Sequence, residues 1–366
     1  MPGMSSTSNI RPSRLRGLLA ACTSCALLCV TLLVAIGPAR PADASASASV
    51  AATTTPAPRP SSPRWPDDGA TDHPIASTGC KLPPTATPGK TSEESLAVNP
   101  ATNQGFTTRS YWIHLPPGYE ASRPTPLVLV FHGGGGTSAG AESSTGISRL
   151  ADQKGFIAVY PQGLPFSQLG GNYTTWAATG PLDSISGGTD DLLFVSVLLD
   201  ALQARYCVDP RRIYATGFSA GGAMTAFLTC GLTGRIAAFA PFSGDAYQFL
   251  GGCFPRHPTS IIEFHGGADP HELYVGIPAR EDPDWRRMGV MEWLTTWGDR
   301  DHCTGSPRAF MNDAAVLAEQ WAGCPPGIEL VHYRIAGLGH TLPPPIAGKS
   351  AIAIMWDFFK AHLLTA

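Results

Sequence analysis

The chain has 366 residues, 14% of them charged, with a formal net charge of -3, 40 glycines and 34 prolines. That balance gives no basic surface for nucleic acid and no reason to propose an anionic membrane as partner. The length suits one large domain beside shorter segments rather than one uniform fold.

Arg11, Arg14 and Arg16 precede an uncharged apolar run from Gly17 to Gly37, and small residues follow in Pro41-Ala42-Asp43-Ala44-Ser45-Ala46-Ser47. A basic start, an apolar middle and an A-x-A-like site at Ala42-Asp43-Ala44 are the layout of a secretory signal. Residues 1–44 are therefore expected to direct export to the extracellular space. The alternative is an uncleaved membrane anchor, because the apolar run is long enough to span. Leu19-Ala20-Ala21-Cys22 is like a lipoprotein box, but too few apolar residues precede Cys22. Residues 45–79 are mostly Ala, Ser, Thr and Pro. Such a stretch buries too little surface to offset its ordering entropy, which predicts a flexible linker. Residues 80–366 are then expected to form a single α/β domain.

Nine cysteines divide into Cys22, Cys25 and Cys29 in the signal and six beyond it. An even number in an exported chain predicts three disulfides among Cys80, Cys207, Cys230, Cys253, Cys303 and Cys324. Cys303–Cys324 is the one pairing we commit to, since the two bracket a segment just before the last strand. No C-x-x-C pair with a suitably spaced histidine supports zinc, so no metal is expected.

Short apolar runs alternate with amphipathic stretches, which implies a mostly parallel sheet covered on both faces. In chain order the predicted strands are Tyr111–Leu115, Leu127–Phe131, Ile157–Tyr160, Ile213–Thr216, Ala237–Phe242, Ile261–Phe264 and Leu330–Ile335. Leu192, Val195, Leu198, Leu199 and Leu202 recur at helical spacing over Asp191–Tyr206, with Asp190 or Thr189 as cap. A last helix runs from about Ser350 to Leu364.

Gly217-Phe218-Ser219-Ala220-Gly221 matches G-x-S-x-G between a predicted strand and a predicted buried helix, Gly222–Leu228. In that context the serine sits on a tight strand-to-helix turn with its hydroxyl presented. The helix N-terminus behind it favours negative charge. A serine hydroxyl is a poor nucleophile at neutral pH and needs a base, itself oriented by a carboxylate. Both partners should follow strands, where sites in such sheets collect. Asp269 follows the strand ending at Phe264, and His340 follows the strand ending at Ile335 between glycines. Asp245 is the rival acid, with Asp301 behind it. Of the ten histidines, His132 and His265 are expected to brace turns. Acyl transfer also needs oxyanion donors. The N–H of Ala220 is one, and the other should come from Phe131-His132-Gly133-Gly134-Gly135-Gly136.

Phe131-His132-Gly133-Gly134, Thr189-Asp190-Asp191, Tyr206-Cys207-Val208-Asp209-Pro210, Gly217-Phe218-Ser219-Ala220-Gly221-Gly222-Ala223-Met224, His265-Gly266-Gly267-Ala268-Asp269 and Gly339-His340-Thr341 occur in this order. From about Phe106 onward the chain thus resembles the secreted esterases that include feruloyl esterases and polyhydroxybutyrate depolymerases, carbohydrate esterase family one. The resemblance implies an α/β-hydrolase fold and a triad of Ser219, Asp269 and His340. It places the second oxyanion donor at about Gly134, where many relatives carry cysteine. Relatives often continue the histidine as Thr-Trp-Pro, whereas this chain has Thr341-Leu342-Pro343, which puts feruloyl specificity in doubt. Trp176 and Tyr274 are candidate pocket walls. The expected activity is hydrolysis of a hydroxycinnamoyl or acetyl ester on plant cell-wall polysaccharide, by a monomer that needs no cofactor. A polyhydroxyalkanoate polyester is the alternative substrate. From another class, the alternative is a non-catalytic cell-surface binding module that kept the fold.

Overall fold

The computed structural model describes residues 70–366 apart from 101–102, 104, 167–170, 179–188, 245, 248–252, 254, 278–286 and 365–366. The expected signal and the first part of the expected linker lie outside the described residues, as does Asp245.

Ten strands form one sheet: β1 (Thr91–Ala97), β2 (Thr108–His114), β3 (Thr125–Phe131), β4 (Ile157–Pro161), β5 (Val208–Phe218), β6 (Ala238–Phe242), β7 (Ser260–Gly266), β8 (Pro307–Asn312), β9 (Val316–Trp321) and β10 (Leu330–Ile335). Their spatial order is β1-β2-β4-β3-β5-β6-β7-β10-β9-β8. The run from β4 to β10 is parallel, and antiparallel strands flank it at both edges. Among the described residues six helices cover the sheet: α1 (Ser138–Thr145), α2 (Ile147–Lys154), α3 (Asp191–Arg205), α4 (Ala220–Leu228), α5 (Val290–Arg300) and α6 (Ala351–Ala361).

Strand periodicity of two explains the two cores. Leu127, Leu129 and Phe131 face the cluster that takes in α3, α4 and α5, whereas Val128 and Val130 face the one that takes in α1, α2 and α6. Central strands covered on both faces need apolar side chains at every position, and β3 and β4 are buried throughout. The helix expected from Asp191 is capped as anticipated, with the Asp190 carboxylate accepting from the N–H of Leu193 at 2.9 Å. It buries most of its surface, leaving only the stripe of Val197, Asp200, Ala201, Ala204 and Arg205 partly or fully open to solvent.

Three of these strands and three of these helices have no counterpart among the predicted elements. β1, β8 and β9 lie at or next to the sheet edges and expose polar side chains, so they lack a continuous apolar run. α1 and α2 are only eight residues each, stopped by left-handed Gly146 and Gly155, and each buries two residues alone. α5 carries its buried Val290, Trp293, Leu294 and Trp297 at helical spacing.

The expected linker gives way to ordered chain before Gly79. The N–H of Thr71 donates to Ser196 Oγ at 2.8 Å, the Asp72 carboxylate accepts from the N–H of Gly234 at 2.6 Å, and Ser77 Oγ accepts from the N–H of Val208 at 3.1 Å. Disulfides join Cys80 to Cys207, Cys230 to Cys253 and Cys303 to Cys324. The Cys303–Cys324 bond is the pairing anticipated. Cys80–Cys207 fastens the segment before β1 to the end of α3. Three disulfides require folding in an oxidising compartment, as outside the cell. Among the described residues no helix is long and apolar enough to cross a membrane.

Candidate active site

β5 ends at Phe218, α4 begins at Ala220, and Ser219 alone makes the turn. Its φ of 59° is left-handed, a conformation that costs a non-glycine residue on the order of 1–3 kcal/mol. The surroundings hold it there: the N–H of Ser219 donates to Phe242 O on β6 at 3.0 Å. Glycine is demanded on either side. A Cβ on Gly217 would come within 2.3 Å of Gly221 O, and one on Gly221 within 2.1 Å of Phe131 O.

The parallel register then collects the partners. Gly217 pairs with Pro241, Phe242 with Phe264, and Gly266 with Ile335, so β5, β6, β7 and β10 all end at one edge. The loop after β7 carries Asp269 and the loop after β10 carries His340. Ser219 Oγ donates to His340 Nε2 at 2.8 Å, and His340 Nδ1 donates to Asp269 Oδ2 at 2.8 Å. These proton positions follow from the partners, since a carboxylate only accepts. Asp269 Oδ1 accepts from the N–H groups of His271 at 2.9 Å and Glu272 at 3.0 Å. Burial pushes the Asp269 carboxyl upward, but the Glu272 N–H, the His340 hydrogen bond and the His271 N–H outweigh it and leave it below the usual range. The His340 ring lies between Phe218 and His271, with centroids 4.7 and 5.1 Å away.

The glycine loop after β3 stands opposite. A Cβ on Gly133 would lie 3.4 Å from Ser219 Cβ, so the loop packs against the serine side chain. The N–H groups of Gly135 and Gly136 are taken by Thr174 O and Gly133 O. Among the described residues those of Gly134 and Ala220 meet no protein acceptor. His132 braces this loop as anticipated. Its Nε2 accepts from the N–H of Gly163 at 2.9 Å, so its proton sits on Nδ1 and is donated to Gly133 O at 2.7 Å. Burial pushes the His132 imidazole down and keeps it neutral.

Two expected pocket walls have other work. Trp176 is 5% exposed, donates from Nε1 to His132 O at 2.8 Å and meets the Phe131 ring edge-on, so it supports the glycine loop from beneath. The next residue is fixed too: the N–H of Ala177 donates to Asp191 Oδ2, and Asp191 pairs with Arg109 at 2.8 Å in full burial. That is the structural use of the Thr189-Asp190-Asp191 motif. Tyr274 packs its hydroxyl on His332, 2.8 Å away, beneath the Asp269 loop. The aromatic that does stand over the site is Tyr173, which sequence reasoning missed. It is 44% exposed, and its ring covers Gly134 and Gly135. It reads in the sequence as one more loop aromatic, and no local pattern marks it. Leu273 and Val275 are exposed on the loop after Asp269. Among the described residues no group of three or more His, Cys, Asp or Glu side chains is placed to hold a metal ion.

A family model described as "Esterase PHB depolymerase" matches residues 109–250. Feruloyl esterase B from Piromyces equi is 28% identical over 263 residues, 70% of this chain and 46% of that protein. A bifunctional acetylxylan esterase/xylanase from Neocallimastix patriciarum is 28% identical over 241 residues, 64% of this chain and 31% of that protein. The chain thus spans less than half the length of these two curated relatives. Among solved structures, the acetyl xylan esterase from Aspergillus awamori superposes with a TM-score of 0.52 at 17% identity, covering 74% of this chain and 99% of that one. The likeness is one of fold, and the fold is that of the α/β-hydrolases.

Proposed function

We propose that this chain, matched over residues 109–250 by the esterase family model and similar to a feruloyl esterase and an acetylxylan esterase/xylanase, is an exported serine esterase that works through an acyl-enzyme. The observation that carries this reading is the unbroken hydrogen-bonded line from Ser219 Oγ through His340 to Asp269.

In the proposed reaction His340 Nε2 takes the Ser219 proton as Oγ attacks the ester carbonyl carbon. Negative charge gathers on the carbonyl oxygen, which the N–H groups of Ala220 and Gly134 receive, aided by the N-terminus of α4. Asp269 holds the Nδ1 proton and stabilises the imidazolium. His340 then returns its proton to the departing alcohol, and water repeats the sequence on the acyl-enzyme to free Ser219. No step calls for a metal or an organic cofactor.

The substrate class we favour is an acetyl or hydroxycinnamoyl ester on plant cell-wall polysaccharide. The exposed ring of Tyr173 beside the glycine loop supports an acyl or sugar group that lies against a flat aromatic face. A polyhydroxyalkanoate is the second reading, favoured by the description of the matching family model and by the exposed apolar Leu273 and Val275 on the loop that follows Asp269. Residues 1–44 are proposed as the export signal and residues 45–69 as a linker to the domain that follows. Labelling with a fluorophosphonate probe tests the catalytic reading: modification of Ser219 is expected, and an inert Ser219 would leave a binding module instead. Parallel hydrolysis of methyl ferulate, acetylated xylan and polyhydroxybutyrate film then ranks the substrates.

A further inference from the structure

Beneath the Asp269 loop lies a buried charged cluster that the proposed reaction does not use. Glu263 and His265 stand two residues apart on one face of β7, and His332 sits opposite Glu263 on β10. The three residues are 3%, 1% and 0% exposed. His332 Nδ1 donates to Glu263 Oε2 at 2.6 Å, and Tyr274 Oη donates to His332 Nε2 at 2.8 Å. His265 Nδ1 stands 3.0 Å from Glu263 Oε1, and its Nε2 donates to the backbone carbonyl of Glu272 at 2.7 Å.

The proton inventory is decided by the partners. A carbonyl only accepts, so His265 Nε2 bears a proton. Burial favours a neutral Glu263, but the hydrogen bonds from His265 and His332 and the charge of His265 outweigh burial and hold it as a carboxylate. A carboxylate likewise accepts only, so His265 Nδ1 bears a proton as well. His265 is an imidazolium in a dry site, in contrast to neutral His132. Glu272 links it to the reaction site. The carbonyl that His265 grips and the N–H that donates to Asp269 Oδ1 at 3.0 Å belong to this one residue.

We propose that His265, held charged by Glu263, is a positioning residue: it fixes Glu272 so that the loop aims Asp269 at His340. The proposal rests on the serine-esterase reading. The titratable and charged groups around His265 are Glu263 and Asp269 from its own strand and loop, Glu272 with Arg287 3.5 Å from it, neutral His332 and Arg334 on β10, and Glu319 opposite His332 on β9. Tyr274 closes the cluster, its ring edge-on to His265 at 5.8 Å and under the Arg334 guanidinium at 4.8 Å. Burial pushes His265 down, but the Glu263 hydrogen bond and charge, the Glu272 carbonyl and Asp269 reverse it and raise the imidazole above its ordinary value. A raised histidine keeps its contribution at low pH and loses it as pH rises through the folded value. Once one proton leaves, a bare nitrogen faces either Glu263 or the Glu272 carbonyl, and the loop loses an anchor. An alkaline limb in kcat is the consequence.

The test compares kcat and KM of the parent, His265→Leu, His265→Gln and Glu263→Gln on p-nitrophenyl acetate from acid to alkaline pH. His265→Leu should lower kcat about 10²-fold with little change in KM, the scale of a misplaced catalytic group. His265→Gln offers an N–H near the Nε2 position without a charge. It should recover most of that loss and show no alkaline limb. Glu263→Gln removes the carboxylate that keeps His265 protonated and should move the alkaline limb down by about one pH unit or more. Parent-like kcat in His265→Leu, a Gln variant no better than Leu, or an unmoved limb in Glu263→Gln overturns the proposal. If His265→Leu does not fold, the Glu263→Gln limb decides alone. The downfield proton resonance of the His340–Asp269 hydrogen bond separates this idea from the esterase reading. It should weaken in His265→Leu whatever reaction the site performs, whereas full activity of Ser219→Ala would sink only the esterase reading.

Discussion

Replacing Asp269 with asparagine keeps the side-chain volume and removes its charge, and the surrounding donors dictate how the amide must sit. Oδ1 accepts two backbone N–H groups at 2.9 and 3.0 Å, and Oδ2 accepts the His340 proton at 2.8 Å. An amide must turn its oxygen toward the two N–H groups, because the reverse orientation opposes donors to donors and forfeits two bonds of about 1 kcal/mol each. Its NH2 group then points at His340 Nδ1, which must be bare to accept it. The imidazole proton moves to Nε2, the atom that meets Ser219 Oγ. The base position is blocked by a proton before reaction begins. The expected fall in kcat is about 10⁴-fold, or about 5.5 kcal/mol in barrier, with KM little changed. Steady-state hydrolysis of a p-nitrophenyl ester measures this, beside a thermal melt to show that the variant is folded. The melt carries a second signature. Because the Asp269 carboxyl lies below its ordinary value, its ionised form stabilises the fold above the usual carboxylate range, and that contribution is lost as pH falls through the folded value. The asparagine variant should lack this dependence. An Asp269→Asn enzyme within tenfold of the parent would refute the reasoning and move attention to Asp245→Asn, measured alongside.

Ser219→Ala should leave a folded protein whose remaining acceleration, on the order of 10³ over water, comes from the oxyanion donors. His340→Ala should be as damaging as Ser219→Ala, and the double variant no worse, because the two groups act as a unit. Parent-like ester turnover in either single variant would remove that residue from the site. Reduction should destabilise the domain. Cys80–Cys207 spans 127 residues and should contribute about 4–5 kcal/mol by chain entropy. Cys303–Cys324 spans 21 and should contribute about 3 kcal/mol. Alkylation and mass spectrometry of the unreduced protein should find none of these six cysteines free, and labelled thiols would contradict the pairing. Asp301 caps the C-terminus of α5 in full burial, with Oδ1 accepting from the Thr259 N–H and Oδ2 without a partner among the described residues. Burial raises its carboxyl to about 7, so the folded state holds the extra proton and stability falls as pH rises from about 4 to about 7. Denaturant melts at about pH 5 and about pH 8 should show a smaller loss for Asp301→Asn than for the parent, and equal losses would rule out this role.

The sequence by itself determined the features that are local in the chain. Apolar runs marked the central strands because residues covered on both faces must be apolar, and the turn around Ser219 was legible because its backbone excludes side chains on both flanks. Asp269 and His340 were legible as post-strand positions between small residues. The strands β1, β8 and β9, at or next to the sheet edges, were not, because they carry polar, partly exposed side chains and their identity comes only from pairing with neighbours. Pairing across 127 residues in Cys80–Cys207 is equally invisible, since spacing carries no information about where two distant segments meet. Tertiary structure also assigned the histidines. His265 and His340 both stand near glycines at the ends of adjacent parallel strands; the sequence favoured His340 by its place beyond the strand end, but it did not show what His265 holds. The register of β7 with β10 does. It buries His265 between Glu263 and the Glu272 carbonyl and carries His340 past the strand end into hydrogen-bond reach of Ser219.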